Sequence, residues 1–178
     1  GLRAKQWPYE ESVGVPFMVW DPRIKGRAGT AISDPTCTED LFPTLLGLAG
    51  LTSQNDVPGT NLTPLIHGQI DQLDRDGVQL EFVAELRERP PFFDKVWRGF
   101  RTQRYKYAVK GDNMGSEPWQ FFDLENDPGE MNNLVDDPAY SDQITHHHRL
   151  LSQRMIETED HFVLSPAFGC EGVNVWEE

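Results

Sequence analysis

The chain has 178 residues, 38% hydrophobic and 11% aromatic, enough apolar material for a packed core. Its 16 Lys and Arg against 29 Asp and Glu give a formal charge of −13, which repels phosphate backbones and anionic bilayers, so neither nucleic acid nor a membrane is an expected partner. Two cysteines, Cys37 and Cys170, are too few and too isolated for a disulfide framework or a four-ligand zinc site, and read as free structural thiols.

Val15-Pro16-Phe17-Met18-Val19-Trp20 is a short apolar run bounded by prolines, the pattern of a buried strand. It is far below the roughly 20 residues of a membrane helix. No signal-sequence pattern opens the chain, and localisation stays open. From Leu41 the residues Leu41, Phe42, Leu45, Leu46, Leu48 and Ala49 recur at helical spacing, with Asp40 as N-cap, Pro43 in the first turn and Gly50 closing the element. Thr52 to Asp76, with Pro58-Gly59, Pro64 and Gly68, reads as loop and short turns, with a domain boundary near Gly68.

Beyond it Val78, Leu80, Phe82 and Ala84 alternate with mainly polar residues up to Glu85, as in a strand with one face on a core. Three more aromatic-rich strands are predicted at Val96 to Arg101, Arg104 to Val109 and Trp119 to Asp123. They are separated by a turn at Thr102-Gln103 and a loop from Gly111 to Gly115, spacing that favours antiparallel pairing. After the turn at Asp127-Pro128-Gly129 a long helix is expected from Tyr140 to about Thr158, packing through Ile144, His148, Leu151 and Met155. The tail from Glu159, with Phe162, Val163, Leu164, Phe168 and Trp176 among Pro and Gly, is expected to pack irregularly on the outside.

Several segments also carry a family resemblance. Lys5-Gln6-Trp7-Pro8-Tyr9-Glu10-Glu11-Ser12 with Val15-Pro16 is similar to the sulfatase pattern K-x-x-x-Y-E-E-S-x-x-V-P. Asp40 to Gly50 resembles D-L-F-P-T-L-L-x-L-A-G, and Pro58-Gly59-Thr60-Asn61-Leu62 with Pro64-Leu65 and Gly68 resembles the segment that follows it in that family. Arg101-Thr102-Gln103-Arg104-Tyr105-Lys106-Tyr107 and Phe122 to Leu134 resemble R-T-x-R-Y-K-Y and L-Y-D-L-x-x-D-P-x-E-x-x-N-L. With order and spacing kept from Lys5 to about Met155, the chain resembles the C-terminal third of a sulfatase of the alkaline-phosphatase superfamily.

The resemblance implies that Lys5 is the one substrate-binding candidate, a lysine that contacts the sulfate group. A compact cation suits an anionic ester and the charge developing on its leaving oxygen. The alternative is a solvated lysine near a fraying terminus. Tyr9 and Glu10 match family positions too, with packing at the strand entrance as their expected job. No catalytic set is complete in this chain. The family's nucleophile is a Cys or Ser in C/S-x-P/A-x-R, oxidised to formylglycine, and neither Cys37-Thr38-Glu39-Asp40-Leu41 nor Cys170-Glu171-Gly172-Val173-Asn174 fits it. The resemblance therefore expects no cofactor or metal in this chain, with calcium and formylglycine belonging to the complete enzyme. Asp136-Asp137 reads as a solvated turn.

Three consecutive residues on a helix point about 100° apart, so His146-His147-His148 cannot converge on one ion; a mostly exposed helix face is expected. Arg98, Arg101, Arg104 and Lys106 form either a cationic strip for sulfated sugar or ordinary pairs with the chain's carboxylates. Asn61-Leu62-Thr63 is a formal glycosylation acceptor.

The expected architecture is an α+β fragment of an α/β sulfatase fold. Residues 1–68 would supply the terminal strand and helix of the catalytic domain, and residues 69–178 a four-stranded antiparallel sheet with one long helix. The expected function is that of a C-terminal part of an enzyme hydrolysing sulfate esters of carbohydrates or aryl alcohols, not competent alone. Its partners would be the N-terminal sulfatase region, or a second copy through an apolar patch and open strand edge, and the sulfated substrate. Alternatives are a stand-alone binding or structural domain, or part of a phosphonate or phosphodiester hydrolase of the same superfamily. A periplasmic or secreted location would follow the family habit.

Overall fold

The computed structural model describes residues 6–24, 29–53, 55–83, 96–112 and 114–175. Two compact units divide the chain, one running from Pro16 to Val78 and the other combining the segment before Pro16 with the chain from Gln79 onward.

The larger unit is built on four strands, β1 (Gly77–Phe82), β2 (Val96–Thr102), β3 (Tyr105–Asp112) and β4 (Gly115–Asp123), lying side by side in chain order. The strands pair antiparallel from β2 to β3 and from β3 to β4. The predicted turn after Arg101 is present, and the Thr102 hydroxyl accepts the Tyr105 N–H at 3.0 Å to close it. The second connection is tighter than the loop expected from Gly111 to Gly115, because β3 runs to Asp112 and β4 starts at Gly115. A bulge on β4 places Pro118 opposite Val109 while Gln120 stays opposite Ala108. Proline lacks a ladder donor, and an irregular edge strand is where it is tolerated. Ala84 and Glu85, the expected end of the first strand, lie outside the described residues.

Strand alternation gives the sheet two different faces. Phe100, Tyr107 and Phe121 are cross-strand partners, all buried, and form one aromatic rung on the first face. Helix α4 (Ser141–Glu157) covers that face with Ile144, His147, His148, Leu151 and Met155. These positions follow i, i+3, i+4, i+7, i+11, a single apolar stripe. The triple histidine is therefore not a mostly exposed face. His146 is exposed, but His147 and His148 fall on the stripe and are buried against Tyr105, Tyr107 and Phe121.

The tail also departs from expectation. Phe162, Leu164 and Val173 are buried in the same core as the sheet and α4, and backbone bridges Leu164 to Val173 and Ala167 to Cys170 fold the segment back on itself. Its attachment to β4 is reciprocal, Ser116 N–H to Ser165 Oγ at 2.8 Å and Ser165 N–H to Ser116 Oγ at 3.0 Å. Trp176 lies outside the described residues.

In the Pro16–Val78 unit, helix α2 (Leu41–Leu48) follows a 3-10 turn at Thr38–Asp40, and a short α3 spans Thr63–Ile66. Gly50 at φ 72° ends α2 through paired bonds, Gly50 N–H to Gly47 O and Leu51 N–H to Leu46 O, the double closure that a left-handed glycine permits. Asp40 precedes α2 as expected, but its side chain makes no capping bond to that helix. Fully buried, it accepts the N–H groups of Cys37 and Thr60 and both ends of the Arg75 guanidinium, joining the turn, the loop before α3 and the end of the unit. The strand expected at Val15 to Trp20 does not form: the segment belongs to no sheet, with Met18 89% and Trp20 86% exposed. A strand needs a neighbour for its N–H and C=O groups, and the described residues place none beside it.

Candidate functional site

Lys5, the one candidate for substrate contact, lies outside the described residues; the residues that follow it do not. Gln6 to Val13 lie on the second face of the sheet, where Trp97, Arg101, Lys106 and Phe122 point. The Gln6 carbonyl accepts the Trp97 indole N–H at 2.7 Å. The Trp7 ring sits 4.7 Å from that of Trp119, and Tyr9 lies 6.0 Å from Phe122. A single turn of helix α1 (Glu10–Val13) follows.

Glu10 enters a buried ion cluster. Lys106, 1% exposed, places Nζ 2.5 Å from Glu130 Oε1 and 3.0 Å from Glu10 Oε1. Arg101 Nε reaches Glu10 Oε1 at 3.3 Å, and the Glu10 N–H donates to Glu130 Oε2 at 2.5 Å. Two cations face two carboxylates, so the cluster is electrically balanced. Burial alone pushes the Glu10 carboxyl up, but Lys106 and Arg101 outweigh it and hold it below its ordinary value. At Glu130 burial wins, aided by the nearby Glu10 charge, and the carboxyl is raised despite Lys106. Glu130 holds this place at φ 52°, a left-handed conformation costly for a side-chain-bearing residue.

Arg98 and Arg104 are also paired. Arg98 grips Asp160 at 2.5 and 2.9 Å while lying 5.0 Å from the centre of the Phe162 ring. Arg104 grips Asp123 at 2.9 and 2.7 Å, and that bond, against burial, holds the Asp123 carboxyl down at about 2. Of the two readings of the Arg98, Arg101, Arg104 and Lys106 set, carboxylate pairing is the one present. The set was visible in sequence; Glu130 and Asp160 as its counterparts were not.

Cys37 does not have the surroundings of a nucleophile. Cys37 is free, and burial together with Asp40 and Glu39 pushes its thiol up, the opposite of activation; Cys170 is also free. Asp136-Asp137 forms part of a turn, with Asp137 Oδ1 accepting the Ala139 N–H at 2.9 Å. Among the described residues no three His, Cys, Asp or Glu side chains are grouped to hold a metal ion, and the buried carboxylates are committed to Arg and Lys. These residues do not fit a calcium site. No helix among them is long and apolar enough to cross a membrane.

The family model for the C-terminal region of N-sulphoglucosamine sulphohydrolase matches residues 1–158. The chain belongs to this family. Relatives of this sulfatase C-terminal domain include an "Ulvan-active sulfatase" of Formosa agariphila, 30% identical over 158 residues, covering 89% of this chain and 30% of that protein. A "Delta 4,5-hexuronate-2-O-sulfatase" of Bacteroides thetaiotaomicron is 31% identical over 157 residues, covering 86% and 31%. A solved structure described as a putative sulfatase of Bacteroides thetaiotaomicron superposes with a TM-score of 0.59 at 25% identity, over 78% of this chain and 31% of that one. The sulfatase C-terminal domain thus spans about 30% of the length of the curated relatives it matches. The four-stranded sheet with its long helix is the C-terminal architecture of sulfatases of the alkaline-phosphatase-like fold.

Proposed function

We propose that this chain serves as the C-terminal part of a sulfatase that hydrolyses sulfate esters of carbohydrates, and that it supplies Lys5 as a contact to the sulfate group. The observation that carries this is the family match over residues 1–158, together with relatives whose names specify ulvan and a hexuronate 2-O-sulfate. The nucleophile and calcium would come from an N-terminal sulfatase region, a view supported by the short span of the relatives that this chain covers and by cysteine contexts unlike the formylglycine motif. Lys5 would hold the anionic ester and offset charge on the leaving oxygen. The exposed Phe17, Met18, Trp20, Phe42 and Leu45 support an apolar docking face for that region, and self-association of the chain in its absence.

The test is an assay with calcium of the 178-residue chain and of a longer chain carrying the N-terminal region, on a chromogenic aryl sulfate and on sulfated oligosaccharides. Turnover by the longer chain only is expected. Turnover by the 178-residue chain alone would overturn its dependence on outside residues, and a longer chain inert on every sulfate ester would overturn the sulfatase reading.

A further inference from the structure

The tip of the tail hairpin closes over a buried imidazole that has nowhere to put a second proton. His148 is fully buried on α4. Its Nδ1 lies 3.0 Å from the Tyr107 hydroxyl of β3, and its Nε2 meets no hydrogen-bond partner. A neutral imidazole has one donor and one acceptor nitrogen, and Tyr107 serves one of them; an imidazolium has two donors, the second of which would be stranded in the core. His147 differs, with Nδ1 paired to the Gln143 carbonyl and Nε2 to the Thr102 hydroxyl. Tyr107 faces His148 from β3, His147 stands beside it on α4, and Cys170 of the tail lies close enough to Tyr107 to act on its hydroxyl. Among the described residues no carboxylate offsets the burial, which alone lowers this imidazole to about 4.

The cover on the tail side is the turn Ala167–Cys170, closed by the Cys170 N–H donating to the Ala167 carbonyl at 2.8 Å. Phe168 sets its ring T-shaped to that of His148, with 6.1 Å between centroids, and Cys170 Sγ rests 3.9 Å from the Thr145 carbonyl of α4. The base of the hairpin is fixed more firmly, by the Leu164–Val173 bridge and the reciprocal Ser116–Ser165 pair. Phe168 also sits at φ 51°, a left-handed conformation that a residue with a side chain keeps only while its surroundings hold it. A tip held by a ring contact and a long thiol contact opens before the ladder-bonded sheet and helix do.

We infer that the Ala167–Cys170 tip is an acid-released lid: a proton on His148 lifts Phe168 off α4, letting water reach Nε2 and uncovering the Cys170 thiol, while the sheet and α4 stay folded. The inference is independent of the sulfatase reading. Lid and proton are linked reciprocally, so loosening the lid raises the affinity of His148 for a proton by the same factor by which the proton favours the open lid.

Phe168→Gly keeps the left-handed turn and removes the ring. Imidazole NMR titrations of the 178-residue chain from about pH 7.5 to 4.5 are expected to show His148 binding its proton at least about tenfold more tightly in this variant than in the wild type, with His147 unmoved. Identical His148 titrations in the two chains would overturn the lid, and so would an equal rise at His147, which would mean that the whole face under α4 had loosened. The second readout is alkylation of Cys170, followed by peptide mass and divided at each pH by the rate in the urea-unfolded chain, which removes the intrinsic pH dependence of a thiol. That ratio is expected to rise about tenfold from pH 7.5 to 5.5, the span over which an exposed imidazole of pKa about 6.5 fills, and to stay flat in His148→Phe. A flat ratio in the wild type, or the same rise in His148→Phe, would overturn the lid whatever the fate of Phe168→Gly.

Discussion

Lys106 is a cation with 1% of its side chain exposed, a state that persists only because two carboxylates meet it. Removing one partner of a buried ion pair leaves the other uncompensated, at a cost of about 3–5 kcal/mol. Lys106→Met is expected to destabilise the chain by that order in urea unfolding at pH 7. The deficit should shrink as pH falls, because the Glu130 carboxyl, already raised by burial, takes up a proton more readily than an ordinary carboxyl. A loss under about 1 kcal/mol would mean that the carboxylates rehydrate and the cluster contributes little. In the sequence, Lys106 stood in one recognisable motif, Glu10 in a second and Glu130 in a third. That the three meet was not legible, since Lys106 and Glu10 are 96 positions apart and motif spacing carries no information about contacts across the fold. Trp97 belonged to none of these motifs, and its indole donor had no sequence signal at all.

At the scale of elements, periodicity performed well where the element satisfies its own backbone. Helix α4 repeats its apolar stripe every three to four residues, and Ile144, His148, Leu151 and Met155 were readable from that alone. His147 is buried despite its polarity because of its position, three residues after Ile144 and four before Leu151. Burial of its ring is sustained by Nδ1 donating to the Gln143 carbonyl at 2.7 Å and by Thr102 Oγ1 at 3.2 Å from Nε2. The run from Val15 to Trp20 failed for the opposite reason: a strand is defined by a neighbour, which a local apolar run cannot supply. Leu151, fully buried between α4 and the sheet, gives the packing its direct test. Leu151→Ala is expected to cost about 2–5 kcal/mol, measured as a lower urea midpoint, whereas the same change at the half-buried Leu150 should cost clearly less. Equal costs at the two positions would contradict the burial stripe.

For the molecule as a whole, the net charge of −13 suggests a protein that simply gains stability as acid neutralises it, yet its buried groups point the other way. Burial lowers both His147 and His148 from an ordinary 6.5 to about 4. An unfolded imidazole takes up its proton near 6.5 and the folded one refuses it until about 4, so the unfolded state binds more protons throughout that window. Stability is therefore complete above about pH 6.5 and is lost as pH falls toward about 4, by on the order of 2–3 kcal/mol per imidazole. Below about 4 the lowered carboxyls of Glu10, Asp123 and Asp160 act in the same sense, since protonating them dissolves their Lys and Arg pairs. Glu130 opposes them: its raised pKa means the folded state gains a proton first, which offsets part of the histidine loss. Urea unfolding at several pH values between 7.5 and 4 should show the loss, with a slope approaching about 2.7 kcal/mol per pH unit where both imidazoles contribute. His148→Phe, which keeps a ring beside Tyr107 but cannot titrate, should roughly halve that slope. A stability independent of pH across the window would mean that both imidazoles accept protons inside the fold, and that the face of the sheet under α4 is wetter than its packing implies.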